Sequence, residues 1–135
     1  MLLEIAKLGA FQRPGAYEEV EAQTLHVAKL ARIGLSESEA KAQGIAYRLA
    51  KIPMDHVLRT RTLSETRGFL KALIERDGDR ILGFTALGVE AGEIMAAVQV
   101  AMAAGLPYTI LRDMVLTHPT MAEGLNALFA DVPAK

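Results

Sequence analysis

The sequence predicts an α+β fold in which helices pack on an antiparallel β-sheet. Short strand-like segments occupy the first two-thirds of the chain, and the longer helical patterns follow after residue 89. Asp77-Gly78-Asp79 separates two of the strand-like segments, as a hairpin turn would. Strands that precede helices, instead of alternating with them, are typical of an antiparallel sheet covered by helices. With 135 residues, 51% of them apolar, the chain has the size and composition of one domain with a sizeable core.

The N-terminal region is expected to lie outside this sheet. Residues 2–11 place apolar side chains every three positions and predict a short helix, which Arg13-Pro14-Gly15 ends. Residues 17–23 carry three glutamates and predict a weak helical turn or a linker. We therefore assign 1–23 to an N-terminal helical segment or linker and 24–135 to the folded domain.

The first sheet elements follow from residue 24 onward. Thr24–Leu35 predicts a strand that a bend can interrupt. Ser36 and Glu39 then form a capping-box pattern, in which the serine caps a helix and the glutamate reaches back to the cap amide. Gly44 suits the end of this short helix because it accepts positive φ.

Three further segments complete the predicted sheet region. Ile45–Ile52 alternates imperfectly and predicts a strand, which Pro53 ends. Residues 54–66 are polar and arginine-rich, and we expect a loop with some extended structure. Gly68–Arg76 predicts a strand, and Arg80–Gly88 is apolar on both faces, which places it inside the sheet or against another subunit.

Helices dominate the C-terminal third. Glu90–Ala104 has apolar residues at helical spacing and many small ones, so another element can approach it closely; Pro107 prevents its continuation. Thr109–Met114 predicts another short helix. Thr120-Met121-Ala122-Glu123 repeats the capping-box pattern and predicts a helix that continues through Phe129.

Composition narrows the classes of function. A net charge of −1 argues against nucleic-acid binding, and we interpret Arg59, Arg61 and Arg67 as solvated or interface side chains. Without cysteine the chain forms no disulfide, thiolate zinc site or thiol redox couple of its own. The longest apolar stretch, Ile94–Tyr108, is too short and interrupted to span a membrane, and the start at Met1 lacks a signal-peptide pattern. A cytoplasmic protein is therefore expected.

His118 and Glu123 are the candidate catalytic residues. Histidine titrates near neutral pH, and Pro119 disfavours the α conformation for the residue before it. Glu123 could orient the ring and stabilise the imidazolium, or it could serve only as the third helical residue of a capping box; the two roles can coexist. No accompanying nucleophile or oxyanion hole is evident.

The remaining residues predict neither a metal site nor a cofactor site. His26 and His56 are isolated and are expected at the surface. Gly83, Gly88 and Gly92 do not follow the order of a phosphate-binding loop.

Several motifs resemble the C-terminal dimerisation domain of the pyridine nucleotide-disulfide oxidoreductases, the family of glutathione reductase, dihydrolipoamide dehydrogenase and mercuric reductase. The resemblance covers roughly residues 30–130, and its wording is closest to the mercuric-reductase-like branch. The motifs are Leu30–Glu37, Thr66–Lys71, Ile81–Phe84, Glu90–Ile94 and, most specifically, His118-Pro119-Thr120-Met121-Ala122-Glu123.

The resemblance implies a role in a dimer. In the family this domain closes a homodimer, and the histidine matching His118 reaches the partner subunit's flavin site, where it exchanges a proton with a redox thiol. The glutamate matching Glu123 holds that histidine, and the bond before the proline matching Pro119 is commonly cis. FAD and NAD(P) are implied for the full-length family, with no cofactor bound by this chain.

Three departures from the family shape the functional hypotheses. The two nucleotide-binding domains and the redox Cys-x-x-x-x-Cys are absent, Leu25–Lys29 replaces the usual aromatic-Thr-x-Pro-Glu entry, and the C-terminal cysteine pair of mercuric reductase is missing. The first hypothesis is a dimerisation domain that is not catalytic alone. The second is a truncated paralogue that pairs with a full-length reductase. The third is a small hydrolase or lyase that uses His118 and Glu123 as a dyad.

Overall fold

A computed structural model describes residues 29–135. The expected helix over 2–11, the linker over 17–23 and the beginning of the first expected strand lie outside the described residues. Four strands form one antiparallel sheet: β1 (Lys29–Gly34), β2 (Tyr47–Pro53), β3 (Phe69–Glu75) and β4 (Ile81–Gly88). Their order is β1-β4-β3-β2, so the predicted α+β class with an antiparallel sheet is confirmed.

The interior position of β4 explains its apolar sequence. Ile33 on β1 lies opposite Phe84 on β4, and Phe84 in turn lies opposite Ala72 on β3. Ala72 in turn lies opposite Ala50 on β2, and residues that lie opposite one another point to the same face, so the buried row crosses all four strands. The row forms the sheet side of the hydrophobic core.

Five short helices surround the sheet: α1 (Glu37–Ala42), α2 (Leu58–Thr62), α3 (Ala91–Ala103), α4 (Tyr108–Asp113) and α5 (Gly124–Ala130). In the described range 29–135, none is long and apolar enough to cross a membrane. Helix α3 packs on β1 and β4, while α5 packs on β2 and β3. Helix α4 lies against α5, so the segment between them is held from both sides.

Helix α1 begins as the sequence predicts. The Ser36 hydroxyl accepts a hydrogen bond from the Glu39 amide at 3.2 Å, and a Glu39 carboxylate oxygen accepts one from the Ser36 amide at 2.7 Å. The helix ends at Ala42, and Gly44 has φ of +65°. The capping box and the glycine stop are therefore both confirmed.

The prediction of a partly extended loop over 54–66 is wrong. Met54–His56 forms a 3₁₀ turn, and α2 follows it directly. Met54 and Val57 are buried, and the Thr60 hydroxyl donates to the carbonyl oxygens of both, at 2.7 and 2.8 Å. Their spacing of three places these side chains on one inner face, a signal that the surrounding polar residues obscured.

Candidate functional site

The segment between α4 and α5 carries the candidate site, and core packing anchors its end. Met121, Gly124 and Leu125 are buried, and α5 packs on the sheet and on the 3₁₀ turn. The Tyr108 and Phe129 rings, with centroids 5.9 Å apart, join α4 to α5. The exposed part of the segment, which includes His118, is therefore attached directly to residues of the packed core.

His118 and Glu123 meet across this turn. His118 Nδ1 lies 2.6 Å from Glu123 Oε1, and Glu123 Oε2 accepts a hydrogen bond from the Thr120 amide at 2.9 Å. The hydrogen bond to His118, followed by the one from Thr120, lowers the pKa of Glu123 below its ordinary value. The carboxylate is therefore ionised at neutral pH and can only accept hydrogen bonds.

The ionised carboxylate determines which imidazole nitrogen is free. Because Glu123 only accepts, Nδ1 of His118 carries the proton of this hydrogen bond, and Nε2 takes no part in it. The His118 side chain is 64% exposed, whereas that of Glu123 is 24% exposed. Among residues 29–135, Nε2 has no hydrogen-bond partner. One nitrogen of the ring is therefore held by Glu123, while most of the side chain is exposed.

The second capping-box prediction holds only in part. Glu123 accepts from the Thr120 amide, as that motif requires, but the Thr120 hydroxyl donates to the Thr117 carbonyl at 2.6 Å instead of accepting from Glu123. Helix α5 begins at Gly124, so Glu123 precedes its first turn. The His118–Pro119 bond is cis, as the resemblance implies.

The other candidates do not join this site. His56 lies 4.0 Å from its neighbour Asp55, and His26 is outside the described residues. The arginines interpreted as solvated side chains contact local groups: Arg61 donates to the Asp55 carbonyl at 2.6 Å, and Arg67 to Glu65 at 3.2 Å. In the part of the chain that the structure describes, no three His, Asp or Glu side chains gather as metal ligands would.

One surface that the sequence indicated only in general terms is the outer face of α3. Gly92, Ala96 and Val100 repeat every four residues and are exposed; we call them the α3 stripe. Val100 is 68% exposed, and a Cβ on Gly92 would meet no atom within 4 Å. An uncharged stripe of small side chains lets a second helix approach closely.

Comparison with known proteins defines the class. Residues 23–129 match the family described as the pyridine nucleotide-disulphide oxidoreductase dimerisation domain. The chain therefore belongs to this family, and the resemblance drawn from its motifs is confirmed. Members of the family are FAD- and NAD-dependent flavoproteins.

Three relatives show which enzymes the chain is similar to. The chain is 41% identical over 101 residues to a probable pyridine nucleotide-disulfide oxidoreductase, RclA of Escherichia coli, covering 75% of this chain and 23% of RclA. It is 33% identical over 98 residues to mitochondrial dihydrolipoyl dehydrogenase of Caenorhabditis elegans, covering 73% of this chain and 20% of that enzyme. Mercuric reductase of Shigella flexneri is also 33% identical, with 73% of this chain and 17% of the enzyme covered.

The solved structure of RclA, described as an HOCl-induced flavoprotein disulfide reductase, has the same fold. Its TM-score is 0.72 at 40% identity, over 75% of this chain and 23% of RclA. The chain thus spans less than a quarter of the length of these relatives. Dinucleotides bind at the carboxyl ends of parallel strands, and the sheet formed by the described residues is entirely antiparallel. The described residues therefore do not form a dinucleotide site of the doubly wound α/β type.

Proposed function

We propose that this chain is a dimerisation domain that supplies His118 and Glu123 as an acid/base pair to the flavin and disulfide site of a partner subunit. The observation that carries the proposal is the setting of the imidazole: Nδ1 is held at 2.6 Å by Glu123, while the side chain is 64% exposed and Nε2 takes no part in that bond. A histidine held in this way is suited to exchange a proton with a group on another molecule.

The proposed chemistry is confined to the proton. Neutral His118 accepts a proton at Nε2 from a partner thiol, and imidazolium returns a proton to a thiolate released when a disulfide is reduced. Glu123 stabilises the imidazolium and keeps the ring in one orientation, as a carboxylate does in a catalytic triad. The partner subunit's flavin and disulfide would supply the redox chemistry. The third hypothesis, a hydrolase or lyase, has no observation in its favour.

The proposed partner is a subunit that carries a second copy of this domain, and the two copies would join through the α3 stripe. Small residues at Gly92 and Ala96 permit close contact between two helices, and burial of Val100 would remove exposed apolar surface from water. Glu93 is the only charged residue in α3, so little charge would have to be desolvated.

The alternative is a module that pairs with a full-length reductase. The identity of 41% with RclA over most of this domain favours it, because similar interface surfaces can form mixed dimers. A cytoplasmic location stays a prediction, which fractionation of cells that express a tagged chain would test.

Co-expression with RclA tests the proposal. The RclA residue that aligns with His118 is changed to glutamine, which should disable proton exchange in its own dimers. Wild-type chain should pair with this RclA variant and restore disulfide-reductase turnover. The variant His118→Gln should pair equally well and restore none. Purified alone, the chain should carry no flavin absorbance and show no NAD(P)H turnover.

Charge on the α3 stripe provides the matched control. Val100→Glu should prevent both self-association and pairing, measured by native mass spectrometry, because it places a charge in the contact. Gln99→Glu adds the same charge to the same helix beside the stripe and should leave pairing intact. Pairing without restored turnover for the wild-type chain would contradict the acid/base role. A chain that stays monomeric alone and with RclA would contradict the dimerisation role.

A further inference from the structure

Asn126 makes a set of contacts that the sequence does not reveal. Its side-chain nitrogen Nδ2 lies 2.8 Å from the Leu111 carbonyl oxygen, 3.1 Å from that of Arg112 and 3.0 Å from that of Met114. Carbonyl oxygens only accept hydrogen bonds, so the donating end of the amide must face them. The amide nitrogen has two N–H groups for three acceptors, so one N–H is shared between two carbonyls, and one side chain of α5 thereby holds the end of α4.

The end of α4 explains why these carbonyls need a donor. The last carbonyls of a helix lack the amides that a further turn would supply. The Met114 amide still reaches the Ile110 carbonyl at 3.0 Å, but Met114 itself is extended, with φ of −71° and ψ of 148°. The chain leaves the helix there, and Asn126 replaces the bonds that Leu111 and Arg112 would otherwise have made.

The same contact fixes the entry to the His118 turn. Met114 lies four residues before His118, and the Thr120 hydroxyl holds the Thr117 carbonyl within the turn. Asn126 lies on the helix that follows the turn, so its hydrogen bonds join the entry of the turn to the element after its exit. The position of the His118 ring relative to Glu123 depends on both ends of the turn, because His118 follows the entry and Glu123 immediately precedes α5.

We propose that Asn126 is a positioning residue, which fixes the entry of the turn and thereby keeps the His118 ring in register with Glu123. The proposal rests on the proposed function for its importance to catalysis. Asparagine is a poorer helix former than alanine or leucine, and its place in α5 is accounted for by its bonds to α4. Asn126 touches no reacting atom and is not a catalytic residue.

Nitrogen-15 NMR of the His118 ring in the purified chain tests the proposal without any partner. In the wild-type chain, neutral His118 should be mainly the Nδ1–H tautomer, because Glu123 accepts that proton. Asn126→Ala removes the donor, and Asn126→Asp places a carboxylate against three carbonyl oxygens. Both variants should reduce the ratio of Nδ1–H to Nε2–H tautomers several-fold. Asn126→Ser keeps one donor and should give an intermediate ratio.

A matched control separates positioning from loss of stability. Ala127→Gly lies next to Asn126 on the exposed side of α5 and weakens the same helix without touching α4. It should lower the urea midpoint and leave the tautomer ratio unchanged. An unchanged ratio in the Asn126 variants, or an equal change in Ala127→Gly, would overturn the proposal. If Asn126→Ala does not fold, the serine variant decides the question. RclA turnover tests the proposed function with the wild-type chain, so either idea can fail alone.

Discussion

Two turns of this chain carry the same pattern, a hydroxyl residue followed three positions later by glutamate, and the structure uses them differently. At Ser36 and Glu39 both reciprocal bonds of a capping box form, and Arg32 donates to both carboxylate oxygens, at 3.1 and 3.2 Å. At Thr120 and Glu123 only the bond from the amide to the carboxylate forms, and the other carboxylate oxygen holds His118.

The difference lies in what starts each helix. Helix α1 begins directly after Ser36 and depends on hydrogen bonds at the surface. Helix α5 begins four residues after Thr120, where core packing holds its first turn. Because the hydroxyl of Thr120 is not needed as a helix cap, the turn can hold Glu123 toward an exposed imidazole. The Thr120–Glu123 pattern thus forms no helix cap, and instead places the Glu123 carboxylate beside His118, as the proposed acid/base pair requires.

The largest effect is expected where packing starts α5. A Cβ added at Gly124 would lie 2.7 Å from Val57 Cγ2 and 3.0 Å from Leu70 Cδ1, and both of these side chains are buried. Gly124→Ala should lower the free energy of unfolding by about 1–3 kcal/mol through overpacking. This cost exceeds the gain of about 0.5–1 kcal/mol that alanine gives in a helix. Urea unfolding of both proteins measures the difference.

A second substitution isolates that clash. Val57→Ala removes the methyl groups that the added Cβ would meet, so the double variant should lose less stability than the sum of the single variants. Additive losses would show that Gly124 acts through the backbone and that α5 does not begin by packing.

The next-largest effect is the difference in stability lost when the hydroxyl of Ser36 or that of Thr120 is removed. Ser36→Ala removes a working helix cap and should cost about 0.5–2 kcal/mol. Thr120→Ala removes an exposed bond to the Thr117 carbonyl and should cost less, because exposed side chains away from caps usually contribute under about 0.5 kcal/mol. The same urea measurement compares them. Equal losses would mean that Thr120 caps α5 in solution and that the two turns are alike.

The sequence predicted the sheet well because its signals are local. Alternating apolar residues, the Asp77-Gly78-Asp79 turn and the Ser36 cap each act within a few positions, and the four strands and the antiparallel class of the sheet followed from them. The strand order β1-β4-β3-β2 did not, because it depends on contacts between distant segments. The 3₁₀ turn and α2 were missed because buried residues spaced three apart, Met54, Val57 and Thr60, stand among arginines and threonines. Only burial separates that pattern from a polar loop.

The site was partly predictable for a related reason. His118 and Glu123 are close in sequence, and one motif suggested both the contact and the residue types. Asn126 could not be found in the same way, because its acceptors lie 12 to 15 residues earlier and become neighbours only when α4 packs on α5. The exposure of the His118 side chain is likewise a property of the folded turn.

The smallest expected effect is electrostatic: it is the pH dependence of the stability that Glu39 and Glu123 each contribute. The bond from the Ser36 amide, with further help from Arg32, lowers the pKa of Glu39 to about 2, and the bond to His118 lowers that of Glu123. A carboxyl group whose folded pKa lies below its unfolded value, about 4.3, stabilises the protein above that value. Its contribution is lost as the pH falls toward the folded pKa.

Urea unfolding at several values from about pH 6 to about pH 2 checks the sign of this linkage. The stability lost in Glu39→Gln should be largest at the upper end, should shrink below about pH 4.3 and should vanish only near pH 2, where Glu39 itself is protonated. Glu123→Gln should show the same sign. Both side chains are partly exposed, so added salt should reduce both losses. A loss that grows on acidification would mean that the carboxylate form is not the one the fold prefers. For Glu123 that outcome would also remove the reason to place the imidazole proton on Nδ1.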